Sequence, residues 1–98
     1  MNHDNVMTQN ELRNAITLFQ RGDFSEAEKI VTQLLLQMPE NVDALHILGL
    51  MCLQLSQTQR GVELIQRAIT IRADFAPAHN NLGNGLRNLN RLDESLAC

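Results

Sequence analysis

Neither tryptophan nor tyrosine occurs in this 98-residue chain, and phenylalanine occurs only as Phe19, Phe24 and Phe75. So few rings provide no platform for stacking successive bases of a single strand. Positive charge is also sparse: Lys29 is the sole lysine, the arginines are scattered from Arg13 to Arg91, and the net charge is -3. Neutralising phosphates requires clustered Lys and Arg, so the composition argues against nucleic acid as a partner. The two cysteines, Cys52 and Cys98, show no CxxC spacing and no histidines at finger spacing. Neither a zinc site nor a thioredoxin-like pair is signalled, and the two read as a buried and a near-terminal thiol. No stretch approaches the ~18 apolar residues of a membrane span. The start, Met-Asn-His-Asp-Asn-Val, has no basic and apolar leader. The expectation is a cytoplasmic protein with no membrane partner. Two prolines and five glycines beside 44% hydrophobic residues, nearly all Leu, Ala, Ile, Val and Met, argue against disorder and all-β architecture and for helix. The length suits one small domain or a piece of a larger protein.

What the chain does contain is a repeat. Ala44, Leu48, Gly49 and Leu55 recur 34 positions later as Ala78, Leu82, Gly83 and Leu89. The same offset backwards from Gly61 falls on Ala27, which defines a more divergent first copy. The frames are residues 8–41, 42–75 and a shortened 76–98, after a flanking segment 1–7.

Each frame carries the pattern of two amphipathic helices with a tight break. In the first, Leu12, Ala15, Ile16, Leu18 and Phe19 keep helical spacing, Gly22-Asp23 interrupts it, Ala27, Ile30, Val31, Leu34 and Leu35 resume it, and Pro39 closes it. In the second, Asn41 is an N-cap for a helix to about Leu55, Ser56-Gln57 turns the chain, and a partner helix runs from about Thr58 to Ile71. In the third, Pro77 occupies a first-turn position and the helix is expected to reach Leu89. After Asn90, residues Leu92 to Ala97 read as the start of another helix.

These residues resemble the tetratricopeptide repeat family, whose 34-residue unit places small residues where its two helices cross and often a proline after the second. The matching positions are Ala27 and Pro39, Gly49 and Ala68, and Leu82-Gly83. The stretches Ala78 to Gly83 and Asn90 to Glu94 are similar to the family pattern as well, while Asn14, Ala15, Gly61 and Ala73 depart from it. The resemblance covers residues 8–98 and implies an all-α, right-handed superhelical solenoid of antiparallel helix pairs, about two and a half repeats long.

The resemblance further implies a concave groove lined by the first helix of each repeat. Its inward positions fall on Gln9, Leu12, Ile16, Phe19 and Gln20 in the first copy, on Asp43, His46, Leu50, Leu53 and Gln54 in the second, and on Pro77, Asn80, Asn84, Arg87 and Asn88 in the third. One end of that groove is apolar, the other amide-rich with one arginine. The middle helix, with Leu45, Ile47, Leu48, Leu50, Met51, Cys52, Leu53 and Leu55, has almost no polar face, and such a helix is normally covered on all sides. Leu50 and Leu53 are expected to face the groove and to be covered by a peptide, by a second copy or by further sequence; the alternative is that Leu12, Phe19 and Leu53 shield one another.

Other chemistries find little support. The basic positions of family members that clamp a chaperone's terminal carboxylate fall on Leu12, Ile16, Ile47 and Pro77, leaving only Asn81 able to hydrogen-bond. The asparagines at 80, 81, 84, 88 and 90 resemble the amide ladder of protein O-glycosyltransferase repeats, but Arg13 and Ile47 interrupt it. His46 and His79 lack companions for a metal site, and no catalytic constellation or phosphate loop is present. The expected function is therefore a protein-protein interaction scaffold that takes a protein or peptide in its groove, without catalytic residues, metal or cofactor. A homodimer through the exposed C-terminal repeat is a further expectation. The alternative is the N-terminal repeat segment of a larger enzyme, such as a protein glycosyltransferase, serving substrate recruitment or self-association.

Overall fold

Two left-handed backbone positions set the chain's folding pattern. Gly22 has φ 93° and Ser56 has φ 67°, and the two occupy the same place in successive repeats. A positive φ costs glycine little, and in a residue such as serine it is uncommon; at each place it ends one helix and reverses the chain for the next. The computed structural model describes residues 3–97, with side chains from 8 to 89. It contains the helices α1 (His3–Gln20), α2 (Phe24–Gln37), α3 (Val42–Gln54), α4 (Thr58–Ile71) and α5 (Ala76–Ala97), and no strand among the described residues. The chain is all-α, and each helix packs on its neighbours in sequence; α3 also touches α1 and α5.

Local chemistry accounts for most helix ends. The Asn41 side chain accepts a hydrogen bond from the Ala44 amide at 2.9 Å, which satisfies one of the free N–H groups at the start of α3. Met38 closes α2 by donating its amide to the Leu34 carbonyl, and Pro39 follows where the helix can no longer continue. Within the first turn of α5, Ala78 is fully buried against the rest of the molecule.

Two ends differ from the sequence-based reading. Helix α1 begins at His3, ahead of the frame drawn from Thr8, so residues 3–7 of the segment read as flanking belong to the helix. The break expected at Asn90 is absent, because α5 continues to Ala97. Extending an existing helix adds a hydrogen bond per residue without a new nucleation cost, and Asn90-Arg91 contains no glycine or proline to stop it. The readings placed on the side chains of Asn90, of Leu92 to Ala97 and of Cys98 lie outside the described side chains.

The core runs between the helix layers. Leu12 and Ala15 of α1, Ala27, Val31 and Leu34 of α2, Ala44, Leu45, Leu48, Met51 and Cys52 of α3, and Leu64 and Ala68 of α4 form one buried cluster. The closest approach is between α3 and α4. A Cβ built on Gly49 would lie 2.6 Å from Ile65 Cγ1 and 3.1 Å from the Gly61 carbonyl oxygen, and one on Gly61 would lie 2.8 Å from the Gly49 oxygen. Paired glycines let two backbones meet where any side chain would force them apart. Gly85 does the same for α5, whose added Cβ would sit 2.7 Å from Val62 on α4.

Candidate functional site

A cleft of about 710 Å³ opens between the C-terminal half of α1, the α1–α2 turn and α3. Ile16, Phe19, Phe24, Ile47, Leu50 and Met51 give it apolar walls; Gln20, Arg21, His46 and Gln54 add polar groups. The hairpin tip shapes one end. There the turn at Gly22 brings Phe24 back to Phe19, with ring centroids 4.8 Å apart and planes tilted by 54°. Tilted aromatic pairs are favoured by their quadrupoles and form rigid apolar surface. Phe24 is 41% exposed and Ile16 39%, so the cleft presents unburied hydrophobic surface to solvent.

His46 is the most constrained group in the cleft wall. It is buried on α3, and its Nε2 lies 2.8 Å from Asn81 Nδ2 on α5. The same Asn81 nitrogen donates to the Pro77 carbonyl at 2.9 Å, so both amide hydrogens are used when His46 Nε2 accepts and the ring proton resides on Nδ1. Phe75 meets the imidazole edge-on, with centroids 5.2 Å apart, and the Arg72 guanidinium lies 5.5 Å from the Phe75 ring centroid. Two helices and the connection between α4 and α5 thus converge on one imidazole.

Burial pushes the His46 pKa below the ordinary histidine value, and the nearby Asp43 carboxylate offsets that only in part. A depressed histidine favours the neutral ring in the folded chain. Its contribution to stability is therefore complete above the unfolded value near 6.5 and is lost as pH falls through the folded value. Urea midpoints are expected to be lower at pH 5 than at pH 7.5, and His46→Gln should flatten that dependence; an unchanged slope in the variant would remove His46 as its source. Cys52, 2% exposed, has its thiol pKa raised, chiefly by burial. It should react with thiol reagents only as fast as the fold opens.

The structure divides the sequence-predicted groove residues into three groups. Ile16, Phe19, Gln20, His46, Leu50 and Gln54 come together in the cleft. Gln9, Asp43, Pro77, Asn80, Asn84, Arg87 and Asn88 are exposed but do not line it. The groove assignments of Leu12 and Leu53 are corrected. Leu12 is 6% exposed and belongs to the core cluster. Leu53 is half-buried with its side chain between α4 and α5, within 2.9 Å of a Cβ built on Gly61 and 3.2 Å of one on Gly85. Two helices arriving at small residues cover it, a packing that the repeat template alone does not specify. Leu53→Asp is accordingly expected to unfold or loosen the chain, in contrast to a groove substitution.

Sequence reading missed Arg21, Gly22 and Phe24, which the path of the α1–α2 turn brings to the cleft, and Ile47 and Met51, which neighbour the assigned positions His46 and Leu50 on α3. The one available signal was the glycine that reverses the chain between Phe19 and Phe24. Among the described residues no group of three or more His, Cys, Asp or Glu side chains gathers as a metal site, and no helix is long and apolar enough to cross a membrane. Comparison of the sequence with known protein families and with curated proteins gives no match.

Proposed function

We propose that this chain is a helical-repeat scaffold of the tetratricopeptide kind, a cytoplasmic protein-protein interaction module without catalytic activity. It binds a peptide or partner helix in the cleft between α1 and α3. The observation that carries the reading is the cleft itself, with Ile16 and Phe24 exposed, Phe19 and Leu50 half-buried beside them, and His46, Gln20 and Gln54 at hand for hydrogen bonds. Binding sites are commonly concave and mostly apolar, with a few polar groups fixing orientation. Two sequential hairpins that share a 34-residue register and place α1 beside α3 support the repeat reading.

Selection of peptides from a displayed library on the purified chain, followed by calorimetry, tests this. A selected peptide should carry one or two large apolar side chains, and Leu50→Asp should weaken it at least ~10-fold, or about 1.4 kcal/mol, while helicity is retained. Phe24→Ala should weaken it by a similar factor, because it opens the aromatic end. Affinities unchanged in both variants would move the binding surface elsewhere. Asn84→Ala with Asn88→Ala should leave such a peptide unaffected, since neither asparagine lines the cleft.

A further inference from the structure

Asn81 decides which nitrogen of His46 carries the proton, and the result of that choice is felt in the cleft. The Pro77 carbonyl lies 2.9 Å from Asn81 Nδ2, which fixes that atom as the donor, since the amide oxygen in its place would face another oxygen. Nδ2 has one hydrogen left for His46 Nε2 at 2.8 Å, so Nε2 accepts and Nδ1 holds the ring proton. Free histidine prefers the opposite tautomer; this one is imposed by α5. The Nδ1–H has no acceptor among the described residues, where the imidazole's hydrogen bond is the one at Nε2. Asp43, which acts on the ring electrostatically, makes neither an ion pair nor a hydrogen bond with it. Nor is the nitrogen sealed in, because no buried side-chain nitrogen or oxygen of the described residues lacks a partner. Although His46 as a whole is only 9% exposed, Nδ1 therefore reaches the surface, and the surface that His46 lines is the α1–α3 cleft. Ile47, Leu50 and Met51 share that wall, and among the described residues no carboxylate lines the cleft to take the proton.

The geometry points to the His46 Nδ1–H as the polar anchor of the cleft: it donates to a backbone carbonyl of an extended peptide whose adjoining apolar side chain lies against Leu50 and Phe19. Asn81 is the positioning residue that keeps the proton on Nδ1. The inference rests on the cleft being the binding site and narrows what the cleft takes. An extended strand presents unspent carbonyls and amides along its length, whereas a helix uses its interior carbonyls on its own amides. A helix laid in the cleft would cover the Nδ1–H and offer nothing to receive it. Leaving such a donor unsatisfied costs about 10-fold or more in affinity. Gln20 and Gln54, exposed at the same cleft, can each donate to and accept from a strand's backbone. One fixed donor between two adaptable amides thus selects an extended peptide over a partner helix.

The probe is the capped tetrapeptide acetyl-Ser-Leu-Phe-Ser-amide, titrated into the isotope-labelled full chain and followed by amide and imidazole chemical shifts. At neutral pH the His46 ring should carry its proton on Nδ1, and Asn81→Leu should move it to Nε2. His46→Gln keeps an oxygen that can accept from Asn81 but has nothing at the Nδ1 position, and it should weaken the probe about 5-fold. His46→Asn places an amide nitrogen where Nδ1 stood and should hold affinity within about 2-fold, at a lower thermal midpoint because the contact with α5 is lost. Exchanging the probe's carbonyls one at a time for thiocarbonyls, which are poorer acceptors, should find one position that matters to the parent and not to His46→Gln. Should His46→Asn fail to fold, that series decides alone. A ring proton on Nε2, no such position in the series, or tighter binding by a stapled helix presenting the same Leu and Phe would overturn the proposal. Loss of binding in Leu50→Asp with none in His46→Gln would keep the cleft as the binding site and remove His46 as its anchor. No shift at Ile16, Leu50 or Gln54 up to about 5 mM would remove both.

Discussion

Ile65→Ala should lower the unfolding free energy by about 3–4 kcal/mol, the largest effect expected of any single truncation in the chain. Ile65 is fully buried, and its Cγ1 is the atom that a side chain at Gly49 would strike, so it fills the narrowest part of the α3–α4 interface. Truncation removes three carbons from a site whose backbone is pinned by the Gly49–Gly61 contact and so cannot collapse around the void. Against a total stability of roughly 5–15 kcal/mol for a domain of this kind, the thermal midpoint should fall by about 15 °C or more. Paired urea and thermal unfolding of parent and variant measures it. A loss below about 1 kcal/mol would mean that α4 slides to refill the space, contrary to the tight crossing. The double variant offers a sharper check. In a Gly49→Ala background the added methyl occupies part of the volume vacated by Ile65→Ala, so the two losses should fall short of additive by more than about 0.5 kcal/mol.

The same crossing shows what the sequence could and could not disclose. Helix periodicity and turn chemistry are local, and they were legible: Gly22-Asp23, the Asn41 cap, Ser56-Gln57 and the span Thr58–Ile71 all stand where the residue pattern puts them. Packing partners are not local. The offset of 34 residues assigns Leu53 to an inward position, yet Gly61 and Gly85 bring α4 and α5 onto it from two sides. Leu12 was lost to the core for a related reason, since α1 lies against both α2 and α3. Within the cleft, the residues contributed by straight helices, Ile16, Phe19, His46, Leu50 and Gln54, could be read from the register, whereas Arg21 and Phe24 depend on the path of a turn. The His46–Asn81 bond had no sequence signal, because the two residues hold different positions in their repeats and meet only through the approach of α5 to α3.

Two glycine-to-alanine substitutions in the same protein should have opposite signs. Alanine is favoured over glycine in a helix interior by about 1 kcal/mol, and that gain is available at both Gly61 and Gly83. At Gly61 the new methyl would stand 2.8 Å from the Gly49 carbonyl oxygen and 2.9 Å from Leu53 Cδ2. The first obstacle is backbone and cannot rotate aside, so α3 and α4 must separate along much of their shared interface. Overpacking of this sort costs about 1–3 kcal/mol or more, and since it disturbs the closest contact in the fold the net loss should be about 2 kcal/mol, or roughly 10 °C in the thermal midpoint. At Gly83 no atom stands within 4 Å of the new methyl, the propensity gain is unopposed, and the midpoint should rise by about 5 °C. Circular dichroism melts of the two variants beside the parent decide the matter. Stabilisation by both would show that the α3–α4 crossing yields easily. Destabilisation by both would show that something in the folded chain already rests on Gly83, contrary to the open space around it.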